Sequence, residues 1–127
     1  FTDPLLKGDL ADALQVLDRL VGQGIAPLVL LSRIAWEIRK VWRFKDEMER
    51  GQVSDSFLRS LRIQPFKKAM YASAARQLSW NALGKVFFSL GETDRLLKSS
   101  RLAPQVHLEA LCERIARLVA AGGRLKR

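Results

Sequence analysis

Between Pro27 and Gly51 the chain reads PLVLLSRIAWEIRKVWRFKDEMERG. Pro27 stands where a helix tolerates proline best, at a first residue whose N–H has no partner anyway, and Gly51 stands where helices are commonly closed. From Leu28 onward, Leu31, Ile34, Ala35, Ile38, Val41, Trp42 and Met48 return every three or four residues, with the Lys45 stem among them. That spacing predicts one long helix of roughly six turns.

Outward from this segment the same period recurs. Upstream, Asp9 is an N-cap residue type, and Leu10, Ala13, Leu14, Leu17, Leu20 and Val21 predict a helix that ends before Gly22. Gly22 and Gly24 then break the chain. Downstream, Ser54 caps a short helix holding Phe57, Leu58 and Leu61, and Gln64-Pro65 opens another carrying Phe66, Ala69, Met70 and Ser73. Ser79 caps a helix whose stripe is Leu83, Val86, Phe87, Leu90, Asp94 and Leu97. Pro104 begins the last, with Val106, Leu108, Leu111, Cys112, Ile115, Leu118 and Val119 facing inward. Residues 122–127 read as a frayed basic tail. About six helices joined by short links predict an all-α antiparallel bundle, a single helical domain over residues 1–127.

The 127 residues fit one domain, and 48% hydrophobic against 28% charged residues is a globular composition. Runs of alternating β-branched residues are missing, which argues against an all-β fold. Cys112 and His107 are the sole residues of their kinds, so neither an internal disulfide nor a Cys/His metal cluster is expected. A reducing, cytoplasmic setting fits that cysteine usage. No apolar run reaches the roughly 18 residues of a membrane span, and the start of the chain does not resemble a signal peptide. Beginning at Phe1 and not at methionine, the chain reads as a piece of a longer protein.

The net charge of +9 is unevenly distributed. Residues 1–53 hold eight basic and eight acidic groups, residues 54–78 five against one, and residues 79–127 nine against four. A basic surface attracts a polyanion or an acidic partner, yet these cations are scattered singly among apolar residues. One reading is a basic helical nucleic-acid-binding module: Ser54 to Arg76 has the outline of a helix-turn-helix, with Gln64, Lys67, Lys68 and Tyr71 offered to a DNA groove.

Chemistry has few candidates. Gly22-Gln23-Gly24 lacks the Gly-Lys-Ser/Thr ending of a phosphate loop. His107 and Cys112 are five apart and do not share a helix face well, and no Asp or Asn is spaced to orient the imidazole, so no catalytic pair is expected. Cys112 reads as a small core residue and His107 as an exposed first-turn residue. Asp94 falls on an apolar stripe, where a charge needs a partner. Lys98, four residues on, supplies a helical salt bridge, and a contact to a neighbouring subunit is the functional alternative. On the long helix, Trp36, Arg39, Lys40 and Arg43 form a second ridge, aromatic and basic, and Trp and Arg are the residues most enriched at interface hot spots. Either Trp36 packs under a helix of the same domain, or the ridge meets another protein.

The ordered set Pro65-Phe66-Lys67-Lys68, Ala75-Arg76-Gln77-Leu78-Ser79, Leu90-Gly91-Glu92-Thr93-Asp94-Arg95-Leu96-Leu97-Lys98-Ser99 and Leu108-Glu109-Ala110-Leu111 resembles the C-terminal domain of the bacterial DNA polymerase III delta subunit. Phe1 to Asp9, Ala13-Leu14, Pro27 to Leu31 and Arg39-Lys40-Val41-Trp42 fall in the same family order, with Trp36 as a departure from it. The resemblance implies a part of the clamp loader, which places the sliding clamp on DNA during replication. Its helical domain would join those of the delta-prime and gamma/tau type subunits in a circular collar. The sliding clamp would be engaged through an N-terminal part absent from this chain, DNA would be met through the complex, and no ATP site or catalysis is implied for this segment, although the implied parent assembly resembles a DNA-directed DNA polymerase holoenzyme. The resemblance transfers no single collar residue, so the candidate partner contacts stay those of the residue reading, Trp36, Arg39, Arg43, Asp94 and Lys98, with no catalytic residue, metal or cofactor and no membrane expected.

Overall fold

The computed structural model describes residues 1–125. Among the described residues the structure is 81% helical. Among the described residues there are seven α-helices, not six: α1 (Asp3–Leu6), α2 (Leu10–Gly22), α3 (Pro27–Arg50), α4 (Asp55–Ser60), α5 (Lys68–Gln77), α6 (Trp80–Ser99) and α7 (Pro104–Leu125). A 3-10 turn at Pro65–Lys67 leads into α5. The unanticipated α1 is a single turn with Pro4 inside it, too short to show a period, yet Pro4, Leu5 and Leu6 are all buried.

The helix starts follow local chemistry. Asp9 accepts a hydrogen bond from the Asp12 N–H, Ser54 from the Phe57 N–H and Ser79 from the Ala82 N–H, each satisfying a donor that a first turn would leave unpaired. Pro27 opens α3 and Gly51 ends it. Helix α7 packs against α1, α2, α3, α5 and α6, while α3 packs against α5, α6 and α7. The core lies between these two long helices, around Leu17, Leu30, Ile34, Ile38, Phe44, Leu58, Leu83, Leu108 and Ile115.

Several inward faces differ from those predicted. On α3, Leu30 and Phe44 are buried while Leu28 and Trp42 are half-exposed. The buried sector is rotated toward Glu37, Lys40 and Phe44 because α5 lies on that side: the Phe44 ring stacks on Tyr71 at 6.2 Å. On α5 the inward set is Tyr71, Ala74 and Ala75, followed by Leu78, and Phe66 and Ala69 face out. The 3-10 turn winds Pro65–Lys67 at a different pitch, so a period counted from Phe66 meets the wrong side of α5. On α6 the inward position is Thr93, whose Oγ1 donates to the Ser89 carbonyl at 2.8 Å, and Asp94 lies beside it at the surface.

The predicted frayed tail is helical as far as it is described, since α7 continues through Gly122 and Gly123 to Leu125. Lys126 and Arg127 lie outside the described residues. Gly122 has a packing reason: a Cβ there would stand 1.7 Å from the Gln77 carbonyl oxygen, at the end of α5. No side chain larger than hydrogen fits that crossing.

Candidate partner-binding surface

The exposed ridge of α3 is built by the same rotation that buries Phe44. Trp36, Arg39 and Arg43 are left facing outward, with Trp36 half-exposed beside Phe1, Thr2, Arg33 and Glu37 around a cavity of about 230 Å³. Trp36 therefore does not pack under another helix of the domain. Lys40 leaves the predicted ridge. It is buried, with its Nζ 3.0 Å from Glu37 Oε1, 5.7 Å from the Trp36 ring centroid and 5.9 Å from that of Tyr71. The Tyr71 hydroxyl donates to the other oxygen of Glu37. Burial, and then the bonded and charged Glu37, push the Tyr71 hydroxyl pKa upward, with a smaller push from Asp3. This phenol stays protonated and ties α5 to α3.

That placement takes Tyr71 out of the set of residues offered to a groove. Tyr71 is turned into the core, Lys67 pairs with Asp3 at 3.4 Å, and Lys68 donates to the Val53 carbonyl at 3.3 Å. Helix α5 is held between α3 and α7, and Gln64 and Lys68 stay at the surface.

Two of the predicted contact residues come together across helices. Arg39 of α3 and Asp94 of α6 line one cavity of about 320 Å³ with Leu31, Ala35, Phe87 and Gly91. Lys98 donates to Asp94 at 3.0 Å, so Asp94 is the partnered surface acid that its spacing foretold and not a buried one. Trp36 and Arg43 do not line this cavity.

His107 corrects another expectation: it is 9% exposed, and its Nε2 has no hydrogen-bond partner among the described residues. Its spacing of four from Leu111 put it on the inward side, a signal that the first-turn position obscured. Cys112 is fully buried, and burial, with Glu109 adding to it, pushes its thiol pKa up to about 12. Such a thiol supplies no nucleophile near neutral pH. Among the described residues no group of three or more His, Cys, Asp or Glu is placed to hold a metal. No helix there is long and apolar enough to cross a membrane.

The sequence reading also missed the outer side of α6. Trp80, Phe88 and the intervening Gly84 are exposed there, and Trp80 meets the Trp42 ring edge to face at 6.1 Å while its Nε1 donates to Glu49 at 2.8 Å. The available signal was their spacing of four residues opposite the apolar stripe.

The result is an all-α domain whose cavities open at helix seams. The family model for the DNA polymerase III delta subunit, C-terminal domain, matches residues 1–115. The chain belongs to this family, a domain of a subunit of the replication clamp loader and not a polymerase catalytic domain. No curated protein and no solved structure gives a significant match.

Proposed function

We propose that this chain is the assembly domain of a clamp-loader delta subunit, holding it in a collar with subunits of the delta-prime and gamma/tau type while the clamp is loaded on DNA. The family match over residues 1–115 carries this reading. The sliding clamp is then engaged by parts of the delta subunit outside this chain, and DNA through the assembled loader. The half-exposed Trp36 with the exposed Arg39 and Arg43 on one helix supports a partner surface, because Trp and Arg are enriched at interfaces and dominate their energetics once covered. The Arg39 and Asp94 cavity extends that surface toward α6.

The test is co-purification of the chain with the other loader subunits of its own cell, followed by Trp36→Ala and Arg43→Ala. Each variant is measured for melting temperature and for affinity toward those subunits. Trp36→Ala is expected to weaken binding by about 2 kcal/mol and to cost the isolated fold no more than about 1 kcal/mol, the scale of its contact with Lys40. Lost stability with unchanged affinity would move the interface away from α3. Tight, salt-resistant binding of a preferred duplex sequence would instead favour a DNA-reading module.

A further inference from the structure

Phe88 is 68% exposed on α6, a helix whose opposite side is built into the core through Leu83, Val86 and Leu90. Gly84 precedes it by one turn and Gly91 follows it by another. A Cβ added at either glycine would meet nothing within 4 Å. Packing inside this chain thus requires neither glycine, although each leaves a helix interior less stable than alanine would. Beside Phe88, α6 and α7 leave a cavity of about 510 Å³ lined by Trp80, Gly84, Lys85, Arg114 and Leu118. A second cavity of about 330 Å³ continues along the same seam, sharing Phe88 and Arg114 and reaching the buried, unpartnered His107.

The charge on this seam has one sign where it is unpaired. Glu92 is held by Arg95 at 3.0 Å and Glu113 by Arg117 at 2.8 Å. Lys85 and Arg114 have no carboxylate within 4 Å among the described residues, and Arg114 donates to the Ser89 hydroxyl at 2.8 Å. A second copy of this chain meeting the seam about a two-fold axis would set these cations against themselves, on a chain of net charge +9. An acidic partner is favoured instead.

We infer that the α6–α7 seam takes an amphipathic helix from a different, acidic-flanked protein chain. Phe88 inserts between its side chains, its backbone approaches over Gly84, and its carboxylates meet Lys85 and Arg114. From Trp80 to Gly91 the face is about 16 Å long, three turns of a docked helix. This inference rests on the assembly reading and deepens it. A subunit in a closed ring of unlike neighbours needs two different surfaces, and this seam is a second one beside the α3 ridge.

The experiment joins the chain to the other clamp-loader subunits and titrates wild type, Gly84→Leu, Phe88→Ala and Lys85→Glu at low and high salt, with melting curves for each. Gly84→Leu is expected to melt no lower than wild type, since its side chain enters open space, yet to bind about thirtyfold more weakly, as does Phe88→Ala. Lys85→Glu should weaken binding most at low salt, which keeps the test valid if the leucine variant folds poorly. Wild type and all three variants joining the loader subunits equally well overturns this seam and leaves the assembly reading standing. Wild type that joins no loader subunit overturns both. Self-association of the chain, or binding of single-stranded DNA, that is lost in Phe88→Ala while subunit binding persists assigns the seam to that occupant and overturns the acidic helix.

Discussion

Ion pairs and helix-interior glycines can be compared in two regions of this molecule, where α3, α5 and α7 meet and along the outer side of α6. In the first, every such feature is explained by a neighbour. Glu37 and Lys40, 15% and 10% exposed, share the Tyr71 hydroxyl and ring, and Gly122 makes room for the Gln77 carbonyl. In the second, Asp94 and Lys98 stand 46% and 60% exposed, and a Cβ added at Gly84 or Gly91 would meet nothing within 4 Å. Residue type and spacing are alike in the two regions. What separates them is whether another element of the same chain lies over them, and the uncovered set is where the proposed partner contacts fall.

The inner region is broken most severely at Glu37. Glu37→Ala leaves the Lys40 ammonium buried without its carboxylate and the Tyr71 hydroxyl without its acceptor. A loss of about 3 kcal/mol is expected by denaturant melting. Replacing the group together, as Glu37→Leu with Lys40→Met and Tyr71→Phe, should recover most of that loss, because an apolar set needs no mutual satisfaction. A triple variant as unstable as the single one would show that shape, not charge, holds α5 to α3.

Gly122→Ala is the next largest. Its Cβ would overlap the Gln77 carbonyl, which is backbone and cannot rotate aside, so α7 or the end of α5 has to shift. Overpacking of this kind costs about 1–3 kcal/mol, read as a lower melting temperature. A neutral result would mean that residues past Gly122 are not held against α5.

How much of this contrast was legible in the sequence depends on how far apart its causes lie along the chain. Helix starts at Asp9, Pro27, Ser54, Ser79 and Pro104 were readable because a cap is decided within three residues. The Asp94–Lys98 pair was readable for the same reason. Faces were less so. Phe44 and Leu30, not Trp42 and Leu28, point inward because α5 sits to one side of α3, a fact set by Tyr71, 34 residues from the Glu37 it bonds. The α3 ridge survived that rotation at Trp36, Arg39 and Arg43 and lost Lys40 to the interior. Gly122 read as a loose end, since the carbonyl it accommodates belongs to a residue 45 positions earlier.

On α6 the sign should reverse. Gly91→Ala and Gly84→Ala each put a methyl group into open space and replace a poor helix former by the best one. Each is expected to raise stability by about 0.5–1 kcal/mol. The identical substitution at Gly122 lowers it, and that opposition is the sharpest form of the contrast between the two regions. A fall in melting temperature for Gly91→Ala would bring the outer side of α6 into the packed interior.

The smallest effect belongs to Asp94. Its pair with Lys98 spans one turn in water, where both side chains lose rotational freedom to hold a weak, screened attraction. Asp94→Ala and Lys98→Ala should each cost about 0.3–0.5 kcal/mol, with a coupling of the same size in a double-mutant cycle that shrinks at high salt. The position is not inert, because Asp94 also lines the cavity that Arg39 enters from α3. If the collar partner covers that cavity, water leaves, the pair strengthens, and Asp94→Ala weakens assembly by more than it weakens the fold. Equal and small changes in both measurements would leave Asp94 a solvated surface acid and confine the contact to Trp36, Arg39 and Arg43.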